Sequence, residues 1–280
     1  MALPHWLISI IKKMFPQRFF LAKLTRVPLL GKMIEKAFFE QDEIIFLPKD
    51  QTIKIQPTRS TTIAVNQPID HFEELVIPSK IIEYFIEQAN YHFIMDFCIC
   101  RSANKCENYP IELGCLFLGE AVLKIDPNLG KLVSKEEALE HIKKCQKAGL
   151  VHLIGRNKLD SIWLDTRPKE KLLTICNCCE CCCLWKMLPH LSTPIQRNVK
   201  RIPGIKITVT DDCVGCGKCT QGICFVDAIQ LENGKAVISN DCRGCGRCVE
   251  ICPQEAIKLS LTTEALMESK RLISRVVDVT

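Results

Sequence analysis

The chain has 280 residues, of which 47% are hydrophobic and 25% are charged, so it can bury a substantial core and is neither disordered nor fibrous. Its 19 cysteines are bunched at spacings typical of metal ligands, whereas a disulfide framework belongs to short secreted chains. We therefore expect a globular protein of a reducing cytoplasm, in an anaerobe, and no run of about 18 apolar residues predicts a membrane-spanning helix.

Residues 1–40 carry seven basic and two acidic side chains, so this segment accounts for the whole formal charge of +5. Aromatic and aliphatic residues lie between the basic ones, and Pro16 and Pro28 divide the segment into short amphipathic helices. Two interpretations stay open. The helices pack on their own protein or on a subunit with the lysines in solvent, or they attach peripherally to an anionic membrane face.

The following residues give ordinary helix and strand signals. Residues 43–56 predict two short strands around a turn, and a helix is predicted to begin with Ser79 as its N-cap. Ser134 and Glu137 have the spacing of a capping box, which predicts the start of another helix, and Gly149 is its predicted end.

Ten cysteines lie close together in two stretches of the middle region. Four occur within 18 residues, in a loop broken by Pro110 and Gly114, and six occupy eight positions after a predicted strand. They are Cys98, Cys100, Cys106, Cys115, Cys176, Cys178, Cys179, Cys181, Cys182 and Cys183. A lone cysteine is usually a small buried hydrophobe, but this density indicates metal ligands. Because adjacent side chains diverge, one metal site cannot use all six of the second stretch.

Two further residues of this region receive a structural interpretation. Cys145 is predicted to pack inside a helix, and His152 is predicted to be a core or hydrogen-bonded histidine, with metal ligation as the lesser alternative. Residues 147–164 superficially resemble the recognition helix and wing of a winged-helix DNA-binding protein. They lack a basic recognition face, so we expect no nucleic-acid partner.

The strongest motif is written twice between residues 205 and 260. Each half has three cysteines at two-residue gaps and then a fourth, in Cys213, Cys216, Cys219 and Cys224 and again in Cys242, Cys245, Cys248 and Cys252. The halves are offset by 29 residues at the first three cysteines and by 28 at the fourth, so the first half contains one extra residue. A proline follows only the last cysteine.

This repeat resembles the bacterial two-cluster ferredoxins, in which the isolated cysteine of each half ligates the cluster of the other half. The resemblance implies two 4Fe-4S clusters with crossed ligand sets. Cluster 1 would use Cys213, Cys216, Cys219 and Cys252, and cluster 2 would use Cys242, Cys245, Cys248 and Cys224. Paired zinc sites are the alternative, but zinc ribbons use cysteine pairs, not triplets.

Elements around the repeat are also predicted. Residues 189–203 predict a linker with proline breakers, and Asn233-Gly234 predicts a two-residue hairpin turn of type I′. A C-terminal helix is predicted from Thr262 onwards. Lys218, Arg243 and Arg247 lie next to predicted ligands, where they raise a reduction potential, dock an acidic carrier or are simply solvated.

We therefore predict an α+β protein with a cysteine-rich α+β middle domain and a C-terminal ferredoxin-like domain. The predicted division is a basic helical segment at 1–40, the middle domain at 41–200, the ferredoxin domain at 201–260 and a C-terminal helix at 261–280. One or two further 4Fe-4S clusters are predicted on the ten middle cysteines, with a zinc site or a redox thiol site as alternatives.

The predicted function is electron transport between a redox carrier and a partner oxidoreductase. Residues 205–260 carry six basic and seven acidic groups, and this near-neutral charge favours a fixed relay, such as an oxidoreductase subunit, over a diffusing ferredoxin. The alternative is a catalytic reductase with an unusual cluster built from the Cys98–Cys183 region, although no single catalytic residue is predicted. Heterodisulfide reductases are a loose analogy, but their Cys-Cys-Gly signature is absent. The Cys-Ile-Cys-Arg and Cys-Asn-Cys-Cys motifs resemble an uncharacterised class of ferredoxin-domain proteins of anaerobes.

Overall fold

The computed structural model describes residues 5–56 and 77–280 and confirms the α+β class; residues 1–4 and 57–76 of the predicted segments lie outside the described residues. The helices are α1 (His5–Met14), α2 (Arg18–Leu24), α3 (Leu30–Phe38), α4 (Ser79–Gln88), α5 (Ile99–Asn104), α6 (Lys135–Lys147), α7 (Lys158–Trp163), α8 (Thr193–Arg197), α9 (Arg247–Ile251) and α10 (Thr263–Val276). The strands are β1 (Glu43–Phe46), β2 (Ile53–Gln56), β3 (His92–Met95), β4 (Leu116–Leu118), β5 (Gly130–Val133), β6 (Val151–Arg156), β7 (Leu173–Cys178), β8 (Val199–Arg201), β9 (Lys206–Val209), β10 (Ile229–Glu232), β11 (Lys235–Ile238) and β12 (Ile257–Thr262).

A seven-stranded sheet in the order β5-β3-β4-β7-β6-β1-β8 forms the centre of the fold. Its neighbours are antiparallel except β1 and β8, which run parallel. Successive side chains of a strand point to opposite faces, so Ile45 packs with α4 and α10 while Phe46 packs with Trp185 on the other face. Both faces are covered, which explains why every residue of β6 is buried.

The helix α6 follows the local sequence rules. Ser134 accepts a hydrogen bond from the Glu137 backbone at 3.2 Å, and the Ser134 backbone donates to the Glu137 carboxylate at 2.9 Å, which confirms the capping box. Gly149 ends the helix with φ +78. The predicted cap of α4 is wrong: Ser79 is its first residue, and the Ser79 N–H donates to Asp50 at 3.0 Å. A carboxylate from a distant turn therefore replaces the local cap.

The region predicted as a linker is ordered as α8 and β8, so the linker prediction is wrong. Pro194 lies in the first turn of α8, where a proline is tolerated, and β8 then adds to the edge of the large sheet beside β1. β1 and β2 both exist, but they belong to different sheets. β2 runs parallel to β12 in a three-stranded sheet of order β2-β12-β9, so the chain before the ten cysteines pairs directly with the ferredoxin-like repeat.

The hairpin of β10 and β11 has the predicted turn. Asn233 and Gly234 have φ of +49 and +75, as a type I′ turn requires. The C-terminal helix is also confirmed as α10, with the Thr262 side chain accepting a hydrogen bond from Ala265 at its start.

The N-terminal helices lie against the body through one face. Ile8, Phe15 and Ala22 are buried, and α1 and the turn after it pack on α5. The other face is apolar and open, since Phe20, Leu29 and Met33 are 64%, 78% and 70% exposed. Within the described ranges, no helix combines the length and apolarity needed to cross a membrane.

Candidate metal centres

The cysteines of the repeat surround two cavities. Cys213, Cys216, Cys219 and Cys252 line one, which we call the first ferredoxin set. Cys224, Cys242, Cys245 and Cys248 line the other, the second ferredoxin set. The isolated cysteine of each half thus lies beside the triplet of the other half, which is the crossed arrangement that the resemblance implies. Iron ligation by these eight residues stays a prediction.

Glycines let the loops curl tightly around these cavities. Gly215 has φ +66, and a Cβ there would lie 2.2 Å from the Gly234 carbonyl oxygen, so any side chain would collide with the hairpin backbone. Gly246 has φ +84, and a Cβ there would lie 2.0 Å from the Thr52 hydroxyl at the start of β2. The repeat therefore closes on its own hairpin and on the β2 region.

Backbone amides point at the cysteine sulfurs. The N–H groups of Ala228 and Ala256 lie 3.3 Å from the sulfurs of Cys224 and Cys252, four residues before each. In the triplets, Ala236 donates to Cys213 and Gly244 to Cys242, both at 3.4 Å. Such donors stabilise thiolates, and the bond from Ala236 is the main reason that the pKa of Cys213 is lowered.

Burial acts in the opposite direction at the second ferredoxin set. It raises the pKa of Cys245 to about 12, so a thiolate there needs a strong neighbouring positive charge. Bound iron would supply that charge, and the sulfur-only donor set with amide N–H donors fits an iron-sulfur cluster.

Four of the ten middle cysteines form a compact group, which we call the four-cysteine group. The sulfurs of Cys106, Cys179, Cys181 and Cys182 all lie within 4.8 Å of one another. Cys181 is 3.6 Å from both Cys106 and Cys182. Sulfurs this close suit the tetrahedral shell of one zinc ion, and a cubane would hold the same four residues with their sulfurs further apart.

The other six form a second assembly, the six-cysteine group, whose members are Cys98, Cys100, Cys115, Cys176, Cys178 and Cys183. These thiols interact in pairs, Cys98 with Cys100, Cys115 with Cys176, Cys176 with Cys178, and Cys178 with Cys183. The interactions with Cys115 and Cys178 hold the pKa of Cys176 well below its usual value. Six sulfurs exceed the four that one cubane uses.

Local structure explains this division. Cys176 and Cys178 are two apart on β7 and therefore share a face. A tight turn follows, closed by the Cys183 N–H bonding the Cys179 carbonyl at 3.3 Å, and it sends Cys179, Cys181 and Cys182 the other way. Cys183 then caps a 3-10 helix, its sulfur accepting from Trp185 at 3.4 Å. Cys178 and Cys179 thus diverge as predicted, and so do Cys182 and Cys183, whereas the adjacent Cys181 and Cys182 face the same group with their sulfurs 3.6 Å apart.

The first stretch is divided by a short helix that interrupts the predicted loop. Cys98 precedes α5 and Cys106 follows it, so the two ends of one helix serve different groups. Lys105 turns the chain with φ +49, and the Cys106 N–H bonds back to the Arg101 carbonyl at 3.0 Å. Sequence spacing cannot show this division because α5 has only six residues.

Two buried arginines neutralise the sulfurs. Arg101 is fully buried between the groups; burial alone would lower its pKa, but the thiolates of Cys98 and Cys179 raise it above its ordinary value. Arg18 is 7% exposed and lies near Cys100 and Cys183, brought there by the N-terminal helices. The Nε atoms of both arginines have no hydrogen-bond partner within the described parts of the chain. Neither arginine was predicted, since each is remote in sequence from part of its group.

Cys145 and His152 join neither group. Cys145 is buried with its sulfur 3.6 Å from His141, and burial raises the pKa of its thiol to about 12. His152 is buried and bonds through Nδ1 to Asn177 at 2.8 Å, which confirms a core histidine. Burial lowers the pKa of His152 to about 4, so the ring is neutral.

The four-cysteine group touches the second ferredoxin set through three polar side chains. Arg247, between Cys245 and Cys248, lies 2.5 Å from Glu180, between Cys179 and Cys181. Tyr109 is hydrogen-bonded to both. Glu180 and Tyr109 were missed from the sequence; the position of Glu180 among cysteines was the available signal. Lys218, the repeat equivalent of Arg247, is exposed.

Comparison with known proteins identifies one segment. Residues 220–262 match the model of a family described as the LdpA Fe-S cluster-binding domain. The matched span contains the whole second ferredoxin set and Cys252 of the first. No curated protein and no solved structure matches the chain. With its dense cysteine groups, the chain is an iron-sulfur protein that contains a segment similar to this cluster-binding domain.

Proposed function

We propose that the chain relays single electrons between a redox carrier and a partner oxidoreductase, with 4Fe-4S clusters at the two ferredoxin sets and further iron-sulfur clusters at the four-cysteine and six-cysteine groups. The observation that supports this proposal most is that the four groups follow one another through the protein. Iron-sulfur clusters, when bound, exchange one electron at a time.

Each neighbouring pair of groups is joined by short contacts. Cys178 and Cys179 are adjacent in the chain and belong to different groups, as do Cys182 and Cys183. Glu180 and Arg247 join the four-cysteine group to the second ferredoxin set. The two ferredoxin sets pack in one core, where Cys248 and Cys219 interact electrostatically. This row of contacts therefore links the six-cysteine group to the first ferredoxin set, and Cys178 and Cys183 also share an apolar core with Cys245 of the second ferredoxin set.

The two ends of the row differ in exposure. At one end, Cys216 and Val214 are exposed, so a carrier protein could approach the first ferredoxin set closely. At the other end, the N-terminal helices cover the six-cysteine group and bring in Arg18. The near-neutral repeat suits a docked partner better than a freely diffusing one.

The apolar N-terminal face supplies a second element of the proposal. Phe20, Leu29 and Met33 are exposed among lysines of a segment that carries net +5. Basic and apolar side chains together suit the interface of an anionic membrane. We infer peripheral attachment there, beside the covered end of the row.

A catalytic alternative rests on one observation. The six-cysteine group offers two sulfurs beyond those of a cubane, which suits a larger or open cluster that reduces a substrate. A cavity beside that group, lined by Arg18 and Leu184, is otherwise almost entirely apolar and, among the described residues, offers no second charged side chain to a substrate. We therefore favour the relay.

Metal analysis of anaerobically purified protein tests the proposal. About 16 irons per chain would support four clusters. About 12 would mean that only one of the two middle groups holds a cluster. About eight irons, with or without zinc, would refute the extended relay. An electron paramagnetic resonance signal that changes on adding a small molecule would favour the catalytic alternative, whereas ordinary reducible signals would favour the relay.

A further inference from the structure

The contact between Glu180 and Arg247 lies between two cysteine groups that the chain encodes far apart. The Arg247 Nη2 atom is 2.5 Å from the Glu180 Oε2 atom, and the side chains are only 11% and 17% exposed. Glu180 lies in the chain between Cys179 and Cys181 of the four-cysteine group. Arg247 lies between Cys245 and Cys248 of the second ferredoxin set and directly precedes Cys248. The ion pair therefore stands at the place where the four-cysteine group and the second ferredoxin set meet.

Further hydrogen bonds fix the geometry of this pair. The Tyr109 hydroxyl lies 3.0 Å and 3.1 Å from the two Glu180 oxygens, and Arg247 donates to the same hydroxyl at 2.5 Å. Arg247 also donates to the Gly149 carbonyl at 2.9 Å. A guanidinium held by three partners keeps one orientation, unlike a surface ion pair, which gains little from its charges.

The internal repeat shows that this arrangement is not a general need of the motif. Lys218 occupies the position in the first half that Arg247 occupies in the second, 29 residues later. Lys218 is exposed, while Arg247 is held against the middle domain. Of the two basic residues that precede the third cysteine of each half, Arg247 forms the ion pair with Glu180, because its half of the repeat faces the four-cysteine group.

We propose that Glu180, Arg247 and Tyr109 form the electrical junction between the four-cysteine group and the second ferredoxin set, so that the charge of this ion pair sets the reduction potentials of both centres together. This inference rests on the proposed function, since it requires a cluster in each group. Arg247 and Glu180 are positioning residues: they carry no electron themselves, but Glu180 lies in the chain between Cys179 and Cys181, and Arg247 directly precedes Cys248.

The sign of the effect follows from electrostatics. Adding an electron makes a cluster more negative, so a nearby cation raises its potential and a nearby anion lowers it. Because the pair is partly removed from solvent, each charge is weakly screened on both sides. Removing either charge should therefore move two potentials, and removing both should largely restore them.

Potentiometric titration of the full chain, followed by electron paramagnetic resonance, tests this. Arg247→Gln should lower the midpoint potentials of both centres, Glu180→Gln should raise both, and the double variant should return both towards wild type. Lys218→Gln is the matched control and should lower only the potential of the first ferredoxin set. The resonance signal that is lost in Cys181→Ser is assigned to the four-cysteine group, and the signal that is lost in Cys245→Ser is assigned to the second ferredoxin set.

The possible results distinguish a failure of the relay from a failure of the junction alone. Wild-type protein with no iron at the four-cysteine group would refute the proposed relay, whatever the variants do. Wild-type protein with both clusters, in which Arg247→Gln and Glu180→Gln each move one potential only, would overturn the junction alone. If Arg247→Gln fails to take up iron, Glu180→Gln decides, because it removes one charge at almost unchanged volume.

Discussion

Arg101 donates a hydrogen bond of 2.7 Å from Nη1 to the main-chain carbonyl of Asn177. This bond ties α5 to β7, the two elements that deliver cysteines to both middle groups. A second bond from Nη2 reaches the Leu113 carbonyl. The guanidinium is fully buried, so its charge is balanced by sulfur and not by water.

We expect Arg101→Gln to lower the stability of the protein by about 3 kcal/mol or more, because it removes a buried cation and leaves the sulfurs uncompensated. The iron content of the middle groups should fall as well. The melting temperature under anaerobic conditions and the iron per chain measure both effects. Arg197→Gln, on the exposed side of α8, is the control. Unchanged iron in Arg101→Gln would contradict this role.

Cys181 and Cys145 provide a matched pair of cysteine substitutions. Both pack in the same apolar cluster, but only Cys181 belongs to the four-cysteine group. Cys181→Ala should remove about four irons per chain, whereas Cys145→Ala should keep all of them with only a small loss of stability. Iron and sulfide analysis distinguishes the two. Equal iron in both variants would show that Cys181 is no ligand.

Gly215 and Gly222 test the tight approach of the first ferredoxin loop to the hairpin. Both have positive φ, so alanine costs about 1 kcal/mol of backbone strain at each. At Gly215 the added Cβ also meets the Gly234 carbonyl, while at Gly222 nothing lies within 4 Å. Gly215→Ala should therefore lower the melting temperature far more than Gly222→Ala. Similar losses of melting temperature in both variants would mean that the hairpin backbone moves away from the added Cβ at little energetic cost.

Asp42 should make stability depend on pH. It is buried, and burial raises the pKa of its carboxyl from 3.8 to about 7. An acid whose folded pKa is raised destabilises the folded state once it ionises, so stability is lost as the pH rises from about 4 to 7. The loss is at most about 4 kcal/mol. The melting temperature of Asp42→Asn relative to wild type should rise over this window, while the exposed Glu87→Gln should stay parallel to wild type. A difference that does not vary with pH would contradict this account.

The N-terminal face should bind anionic vesicles. Leu29→Ser and Met33→Ser remove two exposed apolar side chains without touching the buried face of the helices. Together they should reduce co-sedimentation with anionic vesicles, and high salt should weaken binding of the wild type. Leu123→Ser, at an exposed apolar residue elsewhere, is the control. Binding that survives both substitutions and salt would contradict the membrane interpretation and favour a protein partner for this face.

Local patterns in the sequence determined much of this protein. The doubled cysteine motif, the type I′ turn at Asn233 and Gly234 and the capping box at Ser134 all depend on residues a few positions apart, whose geometry is set by short chain segments. The crossed cavities of the ferredoxin sets likewise agree with what the repeat implies.

Only the tertiary structure decided how the ten middle cysteines divide. The division depends on β7 ending beside α5 and on Arg101 joining them, and these are contacts between residues about 75 positions apart. For the same reason the expected cap of α4 is replaced by Asp50, and β8 pairs with β1 where the prolines predicted a linker. Spacing specifies what a short segment can do, whereas the partner of each segment is set by packing across the whole sheet.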